Sequence, residues 1–199
     1  RGDLPHFVKN IDQKMKSFRF EPEGSSVCTS SNNDVLIKTA LSDQCKAGKV
    51  YLTKSRVQSS VYKPNLKLLN NFDQQDHSQR IIDDVLDIDF ETLDNLYSRD
   101  LILLPDWIKC DTQGSEFVIL KGAKEIIKRS LPLLGLETWT REIYENVPLF
   151  TKVFELCSEY GYEMAALSNA GRIKYKAKNP NVLKYSRPHQ AALNLLFLP

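Results

Sequence analysis

The sequence predicts an α/β fold in which a largely parallel sheet carries helices on both faces. Three observations lead there. Short apolar runs of strand type alternate with helix-period segments over most of the chain, and such alternation calls for crossover connections between parallel neighbours. Four of the runs finish at an acidic residue: Glu21, Asp43, Asp111 and Glu137. In open sheets of this kind, ligands bind beyond the carboxyl ends of the strands, which is where those acids fall. With 199 residues the chain has room for one properly cored domain and not for two large ones, so residues 1–199 are read as a single domain.

Taken in order, residues 4–16 place Leu4, Phe7, Val8, Ile11 and Met15 on one helical face. Asp3 is positioned to cap that helix, with Pro5 in its first turn, where a missing N–H costs little. "SFRF" alternates and stops at "EPEG", a strand ending at Glu21. "DVLIKTALSD" reads as one buried strand ending near Asp43, and "GKVYLTKS" as a further strand or hairpin arm. Residues 55–80 are rich in Ser, Asn, Gln and Asp and predict a long mobile loop or lid, with a helical turn at "NLKLLNNF". "VLDIDFE" is a strand leading into a short helix capped by Thr92.

"WIKCD" is the next strand, ending at Asp111. "SEFVILKGAKEIIKRS" reads as one helix with Phe117, Leu120, Ala123 and Ile127 on its apolar stripe. "LPLLGLETW" is a strand ending near Glu137, and "PLFTKVFELCSEYG" a helix bounded by Pro148 and Gly161. "YEMAALS" and "ALNLLFLP" are the last strands, separated by a loop with six Lys or Arg between residues 172 and 187.

Composition narrows the function. A net charge of +2 gives no electrostatic case for nucleic acid or an acidic membrane as main partner. No run of eighteen apolar residues suggests membrane insertion. The four cysteines show no C-x-x-C spacing, and His6, His77 and His189 lie far apart. The sequence therefore predicts reduced thiols, a cytoplasmic setting and no metal.

The stretch "CDTQGSE" concentrates Asp111, Gln113, Gly114 and Glu116 at the mouth of a strand. It offers acceptors from the carboxylates, both donor and acceptor from the amide, and a tight turn at the glycine. Glu116 has two readings, a ligand contact or an acid serving the first turn of the following helix. The same doubleness holds for the other strand-end acids, which also suit helix caps.

In this order, "FRFEPEG", "KTALSD", "GKVYL", "SSVYKP", "ETLDNL", "PDWIKCDTQGSEFVILKGA", "LLGLETWTREIYENVPLF" and "YGYEMAAL" resemble the FkbM-type methyltransferases over about residues 17–199. That resemblance implies a three-layer Rossmann-like sheet, mostly parallel with an antiparallel C-terminal strand. It also implies S-adenosylmethionine as cofactor and methyl transfer to a hydroxyl of a sugar, glycan or secondary metabolite. On this reading Glu21 grips the ribose hydroxyls side by side, and Ser42 or Asp43 meets the adenine. Asp111 holds the donor's ammonium group or takes the acceptor's proton, and Gln113 orients either ligand. Glu137, Trp139 and Tyr144 line the acceptor side, the two rings either stacking on substrate or packing inward.

The family pattern opens with a strand and a glycine-rich loop that are not seen before Gly2, which is read as the loop's last glycine. The expectation is an N-terminally incomplete domain, open to homo-oligomer formation. The competing expectation is a non-catalytic Rossmann-like binding or scaffold module that has lost the cofactor loop. A haloacid dehalogenase-type phosphatase, suggested by "CDTQGS", is set aside because Gln113 stands where its second aspartate belongs.

Overall fold

The structure, a computed structural model, describes residues 15–23, 33–71, 74–173 and 189–199. The helix expected at 4–16 and the glycine at position 2 fall outside these residues, apart from the helix's last two positions, as does most of the basic stretch at 172–187. Nine strands and six α-helices are described. Strands β1 (Ser17–Phe20) and β2 (Asp34–Ile37) pair in parallel. Strand β3 (Ala40–Leu41) pairs in parallel with β5 (Ile82–Glu91), and β4 (Lys46–Thr53) pairs antiparallel on the other side of β5. Strands β6 (Trp107–Cys110), β7 (Leu133–Trp139), β9 (His189–Leu198) and β8 (Glu163–Ile173) form a four-stranded sheet in that spatial order.

The architecture is thus mixed α/β, divided into three small sheets where one mostly parallel sheet is expected. The division has a local cause at Lys38–Thr39. The expected single strand "DVLIKTALSD" breaks there, because the Thr39 N–H donates back to Ile37 O at 3.0 Å in a tight reversal. The Thr39 hydroxyl donates across to Asp89 O at 3.1 Å, steering Ala40 and Leu41 onto β5 instead of β1. The expectation for the last strand holds, since β9 runs antiparallel to both β7 and β8.

The polar stretch expected as a long loop is built structure. A 3-10 turn covers Arg56–Gln58, followed by helices α1 (Leu66–Leu69) and α2 (Gln74–Gln79). Asn65 caps α1 by accepting from the Leu68 N–H at 3.0 Å. Main-chain bonds between Asn65 N and Ile143 O (2.9 Å), and between Glu145 N and Lys63 O (2.8 Å), tie this segment to the loop after β7.

The expected helix "SEFVILKGAKEIIKRS" is two helices, α4 (Glu116–Lys121) and α5 (Lys124–Ser130), parted at Gly122. A Cβ at Gly122 would sit 2.2 Å from Ser42 O, so only glycine lets the chain pass the end of β3 this closely. The start of α5 is capped from outside: both Asp94 oxygens, on α3 (Leu93–Ser98), accept from the Glu125 and Ile126 N–H groups at 3.0 Å. Helix α3 packs on α5, while α4 and α6 (Phe150–Glu159) pack on β7. The main core joins Leu120, Ile126 and Ile127 of the helices to Leu134, Leu136 and Phe197 of the sheet, with Phe18, Phe20 and Ile37 laid against it. No described helix is long and apolar enough to cross a membrane.

Candidate functional site

The carboxyl ends of β6 and β7 lie side by side because the two strands are parallel and in register, Cys110 opposite Leu136. Asp111 follows β6 directly, and Glu137 sits near the end of β7. Between β6 and α4 the chain turns through two left-handed residues, Gln113 at φ 57° and Gly114 at φ 119°. Glycine adopts that conformation without cost; Gln113 carries a penalty of about 1–2 kcal/mol that its surroundings must outweigh. Gly114 is further required by space, since a Cβ there would lie 2.4 Å from Val147 Cγ2.

Those surroundings are well defined. The Ser60 hydroxyl donates to Gln113 O at 2.8 Å. The single Tyr144 hydroxyl proton is shared between two acceptors, Gln58 O at 2.8 Å and Gln113 Oε1 at 3.1 Å. The Gln113 amide Nε2 points to Asp111 Oδ1 at 3.4 Å and also hydrogen-bonds Glu137. Asp111 hydrogen-bonds Glu137 in turn, and its other oxygen lies 3.8 Å from Lys109 Nζ. Burial, then the adjacent Asp111 charge, push the Glu137 carboxyl up to about 7, against the opposing pull of Gln113 and Lys109. Asp111 and Glu137 therefore form an adjacent carboxyl pair in which Glu137 keeps its proton up to near neutral pH.

Glu116 belongs to the helix start. It is 2% exposed, opens α4, and one carboxylate oxygen accepts from Thr112 N at 2.9 Å and Thr112 Oγ1 at 3.0 Å. This is the reach-back of a helix-opening acid onto the preceding turn. Burial drives its carboxyl up to about 7 despite those bonds. Burial likewise pushes the Tyr144 phenol up to about 12, with Arg80 opposing.

The other sequence-predicted residues are placed differently. Glu21 is exposed just past β1. Ser42 is buried with its hydroxyl 3.3 Å from Asp43 Oδ1, and Asp43 faces Lys121 Nζ at 3.4 Å and Lys46 Nζ at 3.9 Å. Trp139 and Tyr144 turn inward into a satellite core with Leu69, Ile143 and Val147, their rings edge-to-face at 5.5 Å. Their ring faces pack within the protein, and only the Tyr144 hydroxyl reaches the carboxyl pair through Gln113. The structure thus gathers Asp111, Gln113, Glu137 and Tyr144 into one network and leaves Glu21 outside it. Ser60, Gln58 and Arg80, which complete the network's support, are missed by sequence reasoning. They sit in polar sequence with no periodic or motif signal, and only the fold brings them to Gln113 and Tyr144. Among the described residues, no three His, Cys, Asp or Glu side chains converge as a metal set, and Cys45, Cys110 and Cys157 are unpaired.

Fold and site together define a mixed α/β protein with a carboxylate-bearing edge at the ends of parallel strands. The family model described as "Methyltransferase FkbM domain" matches residues 4–164. The chain belongs to the FkbM methyltransferase family, whose members typically use S-adenosylmethionine. Among solved structures, it is similar to the crystal structure of methyltransferase FkbM from Methylobacillus flagellatus KT, at 13% identity and a TM-score of 0.45. That match covers 95% of this chain and 39% of the other, so this chain spans well under half of that protein's length. No curated protein matches the chain.

Proposed function

We propose that this chain is a Rossmann-like S-adenosylmethionine-dependent O-methyltransferase acting on a hydroxyl of a small molecule, sugar or glycan. The observation that carries the reading is the Asp111–Glu137 carboxyl pair at the ends of β6 and β7, held by Gln113. The donor chemistry of the site fits the cofactor. Glu21, Asp43 and Asp111 are all hydrogen-bond acceptors after the ends of parallel strands, and the cofactor presents ribose hydroxyls, an adenine amine and an ammonium group, all donors. Glu21 would take the ribose, Asp43 or Ser42 the adenine, and Asp111 the ammonium. Bound there, the cofactor supplies a sulfonium methyl group for in-line displacement, in which alignment accounts for much of the rate.

The protein's own part is orientation and proton traffic. Asp111 is the exposed member of the pair, and Glu137 behind it is poised to hold a proton near neutrality. Together they give an acceptor hydroxyl a place to lose its proton. The acidic edge also complements a positively charged donor. Cytoplasmic location and self-association remain part of the proposal, with a free acceptor molecule as partner.

Calorimetry with S-adenosylhomocysteine tests the reading. Micromolar binding that weakens about tenfold or more in Asp111→Asn supports it, the size expected for one charge-assisted hydrogen bond. Absence of heat at millimolar ligand sinks it. The second reading, a non-catalytic binding or scaffold module, has one observation in its favour: Asp43 is already engaged by Lys46 and Lys121. It gains if the ligand fails to bind the folded chain.

A further inference from the structure

The network around Gln113 has a direction built into it. With the Glu137 proton turned toward Asp111, the remaining oxygens of the pair accept hydrogen bonds and donate none, so they call for the amide nitrogen of Gln113 and repel its oxygen. That leaves Gln113 Oε1 facing a group that must donate, and the Tyr144 hydroxyl stands there at 3.1 Å. The Gln113 main chain is pinned as well, by Ser60 Oγ on its carbonyl at 2.8 Å and by the left-handed turn at φ 57°. Tyr144 is fully buried and locked edge-to-face on Trp139, and its one hydroxyl proton lies between Gln113 Oε1 and Gln58 O, both acceptors, so an amide NH2 turned toward it would meet no better partner.

We propose that Tyr144 is a positioning residue whose hydroxyl holds the Gln113 amide with Nε2, and not Oε1, turned toward the Asp111–Glu137 carboxyl pair. The inference deepens the acid–base reading of that pair and rests on it for its catalytic meaning, though its geometry stands without cofactor. Its consequence is electrostatic. The Nε2 donor favours the charged form of the pair; an amide released to flip would offer Oε1, which favours the protonated form. Three other charged groups face this network: Lys109 on β6, Glu116 on α4 and Arg80 against Tyr144. Arg80 itself hydrogen-bonds the Tyr144 hydroxyl, so the Gln113→Met background below separates its release from that of the amide.

The experiment is carboxyl carbon NMR titration of the labelled full chain, wild type against Tyr144→Phe, which keeps the ring and removes the hydroxyl. The upper midpoint of the pair is expected to rise by about half a pH unit, the size of one modest hydrogen bond lost from the charged form. In a Gln113→Met background the same Tyr144→Phe change should move nothing further. An unchanged midpoint in the single variant, or an equal shift in the Gln113→Met background, overturns the proposal. Should Tyr144→Phe not fold, Ser60→Ala loosens Gln113 from its other side, and its midpoint must rise in the same direction or the proposal falls. Because the titration is read without ligand, failure to bind S-adenosylhomocysteine would overturn the methyltransferase reading alone.

Discussion

At the ends of β6 and β7, Asp111 and Glu137 bond to each other, to one amide, and through it to a buried tyrosine. At the ends of β1 and β3, Glu21 stands exposed and Asp43 meets two lysines on the surface. Both pairs satisfy the same sequence pattern, an acid following an apolar strand. What separates them is burial behind the acid. The turn after β6 is backed by the 58–62 segment and the 140–147 loop, so its polar groups must find protein partners. The acids after β1 and β3 lack that backing: Glu21 is exposed, and Asp43 pairs with Lys46 and Lys121. A strand-end acid is therefore not one kind of feature: some are wired into a core, and others stay at the surface.

The largest test of the wired side is Gly114→Ala. The new Cβ would meet Val147 at 2.4 Å in a backbone conformation of φ 119°. Overpacking and left-handed strain together should cost about 2–4 kcal/mol in urea unfolding. A loss below about 0.5 kcal/mol would mean that the turn yields easily and that the Gln113 network is not held as described.

Next comes the pH dependence set by Glu116. Its folded carboxyl is raised from 4.5 to about 7, so the folded state binds the proton more tightly than the unfolded chain does. The stability this confers is present below about pH 4.5 and is lost as pH rises through the window up to about 7. Glu137 titrates in the same window, so the informative quantity is the difference between wild type and Glu116→Gln. That difference should change by an amount on the order of 2–3 kcal/mol across the window. A pH-independent difference would show that the Thr112 bonds and the helix start cancel the effect of burial and leave the Glu116 carboxyl as it is in the unfolded chain.

A smaller effect is expected for Ser60→Ala, which leaves the buried Gln113 carbonyl without its 2.8 Å donor. About 1 kcal/mol should be lost, measurable by the same unfolding titration. An unchanged midpoint would mean that the 55–80 segment contributes nothing to the turn.

The sequence made some of this legible and hid the rest for physical reasons. Alternation and end signals are local, so the runs that became β1, β6, β7 and β9, and the Thr92 cap, could be read from neighbouring residues. "CDTQGSE" could be read as a site because its polarity is packed into one turn. The break at Thr39 could not, since it depends on a hydroxyl bonding Asp89, fifty residues away. Nor could the split between α4 and α5, which follows from the close approach of Gly122 to Ser42. Tyr144 reads in sequence as an aromatic suited equally to stacking on a substrate or to packing inward. Only the packing of Trp139 and Val147 around it turns the ring inward and leaves the hydroxyl as its working part.

The smallest expected effect on stability is also the sharpest test of the unwired side. Asp43→Asn removes two ion pairs, at 3.4 and 3.9 Å, whose lysine partners are about half exposed. Surface pairs of that kind contribute little, so unfolding should shift by no more than about 0.5 kcal/mol. If Asp43 meets the adenine amine, the same substitution should nevertheless weaken S-adenosylhomocysteine binding by about tenfold, since an amide oxygen is a poorer acceptor than a carboxylate. The two readouts separate because ion pairing with Lys46 and Lys121 acts on folding, whereas ligand contact acts on binding. A loss of stability without a loss of affinity would place Asp43 among the structural acids and leave Ser42 as the adenine-side contact at the end of β3.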